Sequence, residues 1–168
     1  RLPVPPDSGL VAGDRIAGHY TIKSKIDSGG QGVVYRAEQD RTHRDVAIKL
    51  IHPRLKGPSL LRRFAEEIEI LGKLDHPNIV QIFDAYITGA DDRIPDTPFI
   101  AMQLVEGESL DKHLKSHADP QAEVIRLLAA VCDGLHYIHQ RGIIHRDIKP
   151  SNIFVRPGGD PVILDFGI

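Results

Sequence analysis

Hydrophobic and polar residues alternate along the first third of the chain, and this pattern predicts β-strands. The segments YTIKSKI at 20–26, GVVYRAEQ at 32–39 and DVAIKLI at 45–51 are rich in Val, Ile and Tyr, the residue types that favour strands. A glycine-rich break follows the first segment, and the wholly polar DRTHRD follows the second. Because both connections are short, the three strands are predicted to form an antiparallel meander.

After residue 58 the pattern predicts one helix and then two more strands. Ser59 is a good N-cap, and Pro77 ends the helix. The predicted strands are IVQIFDAYI at 79–87 and PFIAMQLV at 98–105. This part of the chain is therefore predicted to be a five-stranded antiparallel lobe with one helix. The helix positions that keep the spacing of one buried face are Leu61, Phe64, Ile68 and Leu71.

Helical periodicity dominates the part of the chain that follows Gly107, the only obvious hinge. A short helix is predicted at 109–116, and the longest helix begins at Pro120, after an Asp N-cap, and ends near Gly142. Two short apolar runs, at 153–155 and 162–164, flank the turn-forming RPGGDP and predict a β-hairpin. The apolar stripe predicted for the long helix consists of Val124, Leu127, Leu128, Val131, Leu135 and Ile138.

Composition is that of an ordinary globular protein, and it excludes several classes of partner. The chain has 168 residues, of which 41% are hydrophobic and 26% charged, with a formal net charge of -2. No basic excess favours a nucleic-acid partner, and no apolar run is long enough to span a membrane. Cys132, the only cysteine, cannot form an internal disulfide. We expect it to be a buried, unreactive thiol in a reducing, cytoplasmic compartment.

The two ends of the chain predict a fragment. Residues 1–13 begin with a proline-rich stretch that has no apolar periodicity, so we expect a disordered or linker arm. The chain starts at Arg1 rather than Met and stops at Ile168, one residue after an Asp-Phe-Gly sequence. We therefore expect a longer parent protein.

The predicted hairpin brings oxygen-bearing side chains together. The residue entering the first strand of an antiparallel hairpin lies beside the residue leaving the second, so Asn152 and Asp165 are expected to meet. Asp147 approaches the same end from the preceding loop, with Lys149 nearby. Such ligands suit Mg²⁺, which takes one or two protein carboxylates and fills its shell with water and phosphate oxygens. A lone Asp or Asn is more often a loop cap, and it is the combination that indicates a site.

Two motifs near the end of the chain carry a resemblance to a known family. HRDIKPSN at 145–152 and DFG at 165–167 resemble the catalytic-loop and Asp-Phe-Gly signatures of the protein kinases. The resemblance extends over residues 14–168. Lysine two positions after the catalytic-loop aspartate is typical of the serine/threonine members. The resemblance also implies that His145 and Phe166 are packing residues beneath the site.

The resemblance assigns a role to each polar residue of these motifs. Asp147 is expected to accept the proton of the attacking hydroxyl. Lys149 is expected to neutralise charge on the transferred phosphoryl group, and Asn152 and Asp165 are expected to hold Mg²⁺.

The segment IDSGGQGVVY at 26–35 lies between two predicted strands, as the glycine-rich loop of a kinase does. Gly29 and Gly32 match the family pattern, whereas Asp27 stands at the position of the first glycine. Glycines let the backbone approach phosphates closely. The negative charge of Asp27 is expected to weaken nucleotide binding without abolishing it.

The motif VAIK at 46–49 resembles the third strand of the kinase lobe. The resemblance pairs Lys49 with Glu67 of the following helix, although Glu66 and Glu69 compete for that role by position alone. This pair would hold the α- and β-phosphates of ATP. The full set of residues that the resemblance assigns to nucleotide binding is Ser28, Gly29, Gly30, Gly32, Val34, Ala47, Lys49, Met102, Gln103, Val105 and Phe154.

These features together predict an α+β, two-lobed, protein-kinase-like fold. We expect an arm at 1–13, a nucleotide-binding lobe at 14–106 and a partial, mainly helical catalytic lobe at 107–168. The implied function is a serine/threonine protein kinase of the bacterial eukaryotic type, which uses ATP and Mg²⁺ and acts on a protein substrate. The alternative is a catalytically inactive nucleotide-binding or scaffold fragment. A small-molecule phosphotransferase is disfavoured by Lys149 and by the HPNIV segment at 76–80.

Overall fold

The computed structural model describes residues 9–29, 32–51, 66, 68–116 and 120–166. Several expectations lie outside the described residues, namely those for residues 1–8, Gly30, Ser59, Leu61, Phe64, Glu67 and Gly167. Within the described part of the predicted first helix, residues 66 and 68–72 are helical.

A six-stranded antiparallel sheet forms the first part of the molecule, in the order β1-β2-β3-β4-β6-β5. It contains all five predicted strands and one more, the two-residue β1, which pairs with the start of β2. The prediction of five strands therefore missed β1, because two residues are too few to show the alternation of apolar and polar positions. The strands are β1 Arg15–Ile16, β2 Tyr20–Gly29, β3 Gly32–Gln39, β4 Arg44–Ile51, β5 Ile82–Ile87 and β6 Pro98–Gln103.

One face of this sheet carries the hydrophobic core. Alternate residues of β2, β3, β4 and β6 contribute to it, because side chains in a strand project to opposite faces in turn. Leu10, which precedes β1, packs into the same cluster. The sheet residues of the core are Ile16, Tyr20, Ile22, Val33, Tyr35, Ala37, Val46, Ile48, Leu50, Phe99 and Ala101.

The hydroxyl of Tyr20 lies in this core without a hydrogen-bond partner. Its ring is fully buried and meets Phe99 edge-on, with ring centroids 6.0 Å apart. Burial, aided by the nearby carboxylate of Asp84, raises the pKa of Tyr20 to about 12. An unsatisfied buried hydroxyl opposes folding.

Replacing Tyr20 by Phe is therefore expected to increase the free energy of unfolding by about 1 kcal/mol, since it removes the unpaired hydroxyl and keeps the ring. Urea denaturation measures the change. Tyr86→Phe is the matched control, because the phenol of Tyr86 is hydrogen-bonded to Asp84. If Tyr20→Phe lowers stability as Tyr86→Phe should, the hydroxyl of Tyr20 has a partner in solution.

The chain divides into two compact units. The described residues up to Lys73, together with Ile82–Leu104, form the first unit, and Leu74–Gln81 join the chain from Val105 onward in the second. The predicted boundaries at 13 and 106 stay predictions. The elements of the second unit are β7 Glu108–Ser109, α1 Leu110–Lys115, α2 Pro120–His139, β8 Ile153–Val155 and β9 Pro161–Ile163.

A second, three-stranded sheet in the order β7-β8-β9 organises this unit. The predicted hairpin is its centre, since β8 and β9 pair antiparallel from Ile153 and Ile163 to Val155 and Pro161. Ile79 adds a parallel bridge to Ile163. The short and the long predicted helices are present as α1 and α2.

The buried face of α2 is narrower than predicted. Leu127, Val131 and Ile138 are buried, but Leu128 is 45% exposed and Cys132 is exposed. At 100° per residue, Cys132 lies about 140° around the helix from Leu127, so it falls outside the stripe. The expectation of a buried thiol was wrong for this reason. Among the described residues, no helix is long and apolar enough to cross a membrane.

Candidate active site

Two polar residues of the segment before β8 converge on the carboxylate of a third, Asp147. The Lys149 ammonium donates to Asp147 Oδ2 at 2.8 Å, and Asn152 Nδ2 donates to the same oxygen at 2.9 Å. Asn152 Nδ2 also donates to the Asp147 carbonyl at 2.9 Å. Asn152 is buried, whereas the side chain of Asp147 keeps 27% of its surface exposed. Two donors therefore hold a carboxylate that still reaches solvent.

These contacts determine which way the Asn152 amide points. Its nitrogen is committed to Asp147, so its oxygen is the atom that remains for a cation. The order of the motif explains the geometry, because Pro150–Asn152 form a single 3-10 turn that brings Asn152 back to Asp147.

His145 ties this loop to the end of β9. The backbone N–H of Asp147 donates to His145 Nδ1 at 3.3 Å. Because Nδ1 accepts, the ring proton lies on Nε2, which donates to the Leu164 carbonyl at 2.8 Å. The buried ring packs against Phe166, with centroids 4.7 Å apart. His145 is thus placed as a packing and positioning residue.

Asp165 follows β9 after one intervening residue, Leu164, and it lies within one residue of the position that the hairpin predicts. The Leu164 N–H donates to the Asn152 carbonyl at 2.7 Å, so Leu164 is the residue opposite Asn152 and Asp165 is the next. Asp165 and Arg146 both have positive φ, 50° and 65°. Non-glycine residues rarely adopt this region, and each such residue costs about 1 kcal/mol or more. Strained backbone therefore occurs in both segments that carry acidic site residues.

Asn78 is a positioning residue that sequence reasoning missed. Its Nδ2 donates to the Pro161 carbonyl at 2.8 Å, and its own carbonyl accepts the Ile163 N–H at 2.8 Å. It therefore holds both ends of β9, the strand that leads into Asp165. The HPN sequence was interpreted as the end of a helix and as part of the family resemblance, and no role was assigned to Asn78 itself. A single Asn before two apolar residues gave no signal of a long-range role.

Four of the predicted nucleotide-binding residues of the first sheet, Val34, Ala47, Lys49 and Met102, lie on the face opposite the core. Val34 pairs with Lys49 across β3 and β4, and Ala47 pairs with Met102 across β4 and β6. Directly opposite residues project to the same face. Lys49 is buried, with 6% of its surface exposed. A buried ammonium requires a charged partner, and the expected one, Glu67, lies outside the described residues.

Gly32 has a structural role independent of any nucleotide. A Cβ at this position would lie 2.0 Å from the Leu50 carbonyl oxygen, and its φ is +143°. Only glycine lets β3 approach β4 this closely. Ser28 and Gly29, at the end of β2, pair with Val33 and Gly32.

The remaining predicted nucleotide residues are divided between the units. Gln103 ends β6 opposite Val46. Val105 and Phe154 belong to the second unit, where Phe154 pairs with Ser109 and Val162 in the middle of the three-stranded sheet.

The oxygen donors of the second unit are of the kind that Mg²⁺ takes. Among the described residues, no three His, Cys, Asp or Glu side chains form a metal-binding group. Mg²⁺ needs fewer protein ligands, since it retains waters and takes phosphate oxygens. The amide oxygen of Asn152 and the carboxylate of Asp165 are oxygen donors of the required kind.

The fold and these motifs define a protein kinase domain. The family model described as "Protein kinase domain" matches residues 20–168, and this chain belongs to that family. It is 35% identical over 158 residues to the serine/threonine-protein kinase PknB of Mycobacterium leprae, covering 91% of this chain and 25% of that protein. It is also 35% identical over 161 residues to the serine/threonine-protein kinase PrkC of Bacillus subtilis, covering 95% of this chain and 24% of that protein.

A solved structure gives the same result for the fold. The crystal structure of the Mycobacterium tuberculosis PknI kinase domain matches with a TM-score of 0.81 and 30% identity, covering 95% of this chain and 64% of that chain. The predicted fold class is thereby confirmed. The present chain spans about a quarter of the length of the curated relatives named above.

Proposed function

We propose that this chain is the nucleotide-binding and catalytic part of a serine/threonine protein kinase, which transfers the γ-phosphate of ATP to a protein hydroxyl. The main support for this proposal is the Asp147 carboxylate, which accepts hydrogen bonds from Lys149 and Asn152. The named relatives are serine/threonine kinases, which supports the choice of acceptor. Residues 14–106 are proposed as the nucleotide-binding lobe and residues 107–168 as part of the catalytic lobe.

Asp147 is proposed as the base. As the substrate hydroxyl oxygen forms a bond to the γ-phosphorus, the bond to the bridging oxygen breaks, ADP leaves with that electron pair, and the hydroxyl proton passes to Asp147. Lys149, already paired with Asp147, neutralises charge on the transferred group. Asn152 and Asp165 are proposed to hold Mg²⁺. The metal, when bound, offsets the negative charge of the phosphates.

ATP is proposed to bind at the non-core face of the first sheet. Lys49 would bind the α- and β-phosphates, and Val34, Ala47 and Met102 would offer apolar surface to the adenine. Gln103, Val105 and Phe154 are proposed to complete the adenine contacts, and the backbone at Ser28, Gly29, Gly30 and Gly32 the phosphate contacts. Glu67 is proposed as the partner of Lys49.

The second candidate is a chain that binds nucleotide, or a partner, without phosphoryl transfer. One observation favours it: Asp27 Oδ1 accepts the Ser28 N–H at 2.8 Å, in the loop that would otherwise offer its amides to phosphate. The second candidate differs from the first in that no phosphoryl transfer takes place.

Binding and transfer should be measured separately. Calorimetry with ATP and Mg²⁺ tests binding, and incubation with γ-labelled ATP and dephosphorylated casein tests transfer to Ser or Thr. Lys49→Met is expected to weaken ATP binding at least about tenfold, because it removes a charge-assisted phosphate contact. Lys73→Met, at a lysine that pairs with Glu69 on the surface, is the control. Binding without transfer would favour the second candidate, and absence of ATP binding would refute the first candidate and the nucleotide-binding form of the second.

A further inference from the structure

An irregularity in β2 determines the direction of the Asp27 side chain. Lys25 pairs with Tyr35, but Asp27 rather than Ile26 pairs with Val34, so Ile26 is an extra residue. With regular pairing, Asp27 would lie opposite Val33, which belongs to the core face. A bulge of this kind moves the following side chain to the other face. Asp27 therefore shares the non-core face of the sheet with Val34.

Asp27, Val34 and Lys49 are consequently cross-strand neighbours on one face of the sheet, and Lys49 is the candidate phosphate-binding lysine. Asp27 pairs with Val34, and Val34 pairs with Lys49. Directly opposite residues have Cβ atoms about 5 Å apart, so the Cβ atoms of Asp27 and Lys49 are about 10 Å apart on one face. Both side chains are long enough to act on an anion bound between them. Asp27 itself is exposed.

The carboxylate of Asp27 also occupies a backbone donor of the loop. Its Oδ1 accepts the N–H of Ser28 at 2.8 Å. Backbone N–H groups of a glycine-rich segment are typical phosphate ligands. The Asp27 side chain thus provides a negatively charged acceptor for the Ser28 N–H. It also places a negative charge on the same sheet face as Lys49, with Val34 between them.

We propose that Asp27 is a specificity-determining residue which lowers nucleotide affinity in proportion to the phosphate charge, acting as a built-in substitute for a phosphate oxygen. The inference rests on the proposed binding of ATP at this face. A phosphate that approaches the loop meets a like charge and an amide already bonded. An uncharged nucleoside meets neither obstacle.

Asp27→Asn separates charge from shape. Asparagine has almost the same volume, and its oxygen can still accept the Ser28 N–H. Calorimetry without Mg²⁺ is expected to show unchanged affinity for adenosine, a small gain for AMP, a larger gain for ADP, and a gain of about tenfold for ATP. The gain for ATP should shrink as salt is raised to 1 M, because the Debye length falls to about 3 Å.

Two further variants complete the test. Asp27→Ala removes the acceptor as well as the charge, so it should tighten ATP binding at least as much as Asp27→Asn. Asp91→Asn, at an exposed aspartate of the loop between β5 and β6, makes the same charge change elsewhere and should leave every affinity unchanged.

Three results would overturn the inference. These are unchanged ATP affinity in Asp27→Asn, a gain of equal size for adenosine and ATP, or a gain as large in Asp91→Asn. In each of them the wild-type protein still binds ATP, so the proposed function stands. If neither the wild-type protein nor Asp27→Asn binds any nucleotide, the proposed function and this inference both fail.

Discussion

Replacing Asp147 by asparagine is expected to lower the rate of phosphoryl transfer by at least about 100-fold, because a positioned general base contributes about 10² to 10⁴ in rate. The asparagine oxygen can still accept from Lys149, but its amide cannot take a proton from the substrate hydroxyl. The affinity for ATP with Mg²⁺ should change by less than about twofold, since the variant alters the base and not the nucleotide face. Initial rates with γ-labelled ATP, combined with calorimetry, measure the two effects.

Asp133→Asn is the matched control for this prediction. Asp133 is exposed on α2 of the same unit, so its neutralisation makes the same charge change away from the catalytic loop. Full activity in Asp147→Asn would remove Asp147 from the role of base. An equal loss in both variants would show that net charge, and not the position of the carboxylate, governs the rate.

Replacing Gly107 by alanine is expected to lower the free energy of unfolding by about 3 kcal/mol or more. A Cβ on Gly107 would lie 2.2 Å from the carbonyl oxygen of Val155, and the φ of Gly107 is +144°. The obstacle is backbone of the central strand, so no side-chain rotation can relieve it. Glu108 pairs with Val155 in the same place, and accommodating the methyl group would separate β7 from β8. Urea denaturation measures the loss.

Gly72→Ala provides the opposite control. Gly72 is helical, and nothing lies within 4 Å of the Cβ that alanine would add. Alanine there is expected to stabilise the protein by about 0.5–1 kcal/mol, since glycine in a helix loses more backbone entropy on folding. If Gly107→Ala were as mild as Gly72→Ala, β7 would not pack on β8 in solution as described.

Much of the fold follows from local patterns. The segment GVVYRAEQ was predicted as a strand with the bounds that β3 has, and the hairpin of β8 and β9 was predicted from two apolar runs around a turn. These elements can be predicted from the sequence because the alternation of apolar and polar residues and the turn-forming residues are local signals. The kinase motifs added the expected fold class, and the comparison with solved structures confirms it.

Two of the features that were missed depend on contacts between distant segments. The extra residue at Ile26 that turns Asp27 to the non-core face is visible only in the pairing with β3. Asn78 acts through Pro161, which is 83 positions away. Cys132 was misplaced for a local reason, since it lies about 140° around the helix from Leu127. The roles of the site residues remain predictions that the variants above test.

The outward position of Cys132 has a practical consequence. It is the only cysteine in the sequence, and it lies on the surface of α2. A maleimide dye or a nitroxide probe would therefore attach at one known point of the second unit without prior mutagenesis. A second reporter placed in the first unit through an engineered thiol would then turn the separation of the two units into a measurable distance distribution.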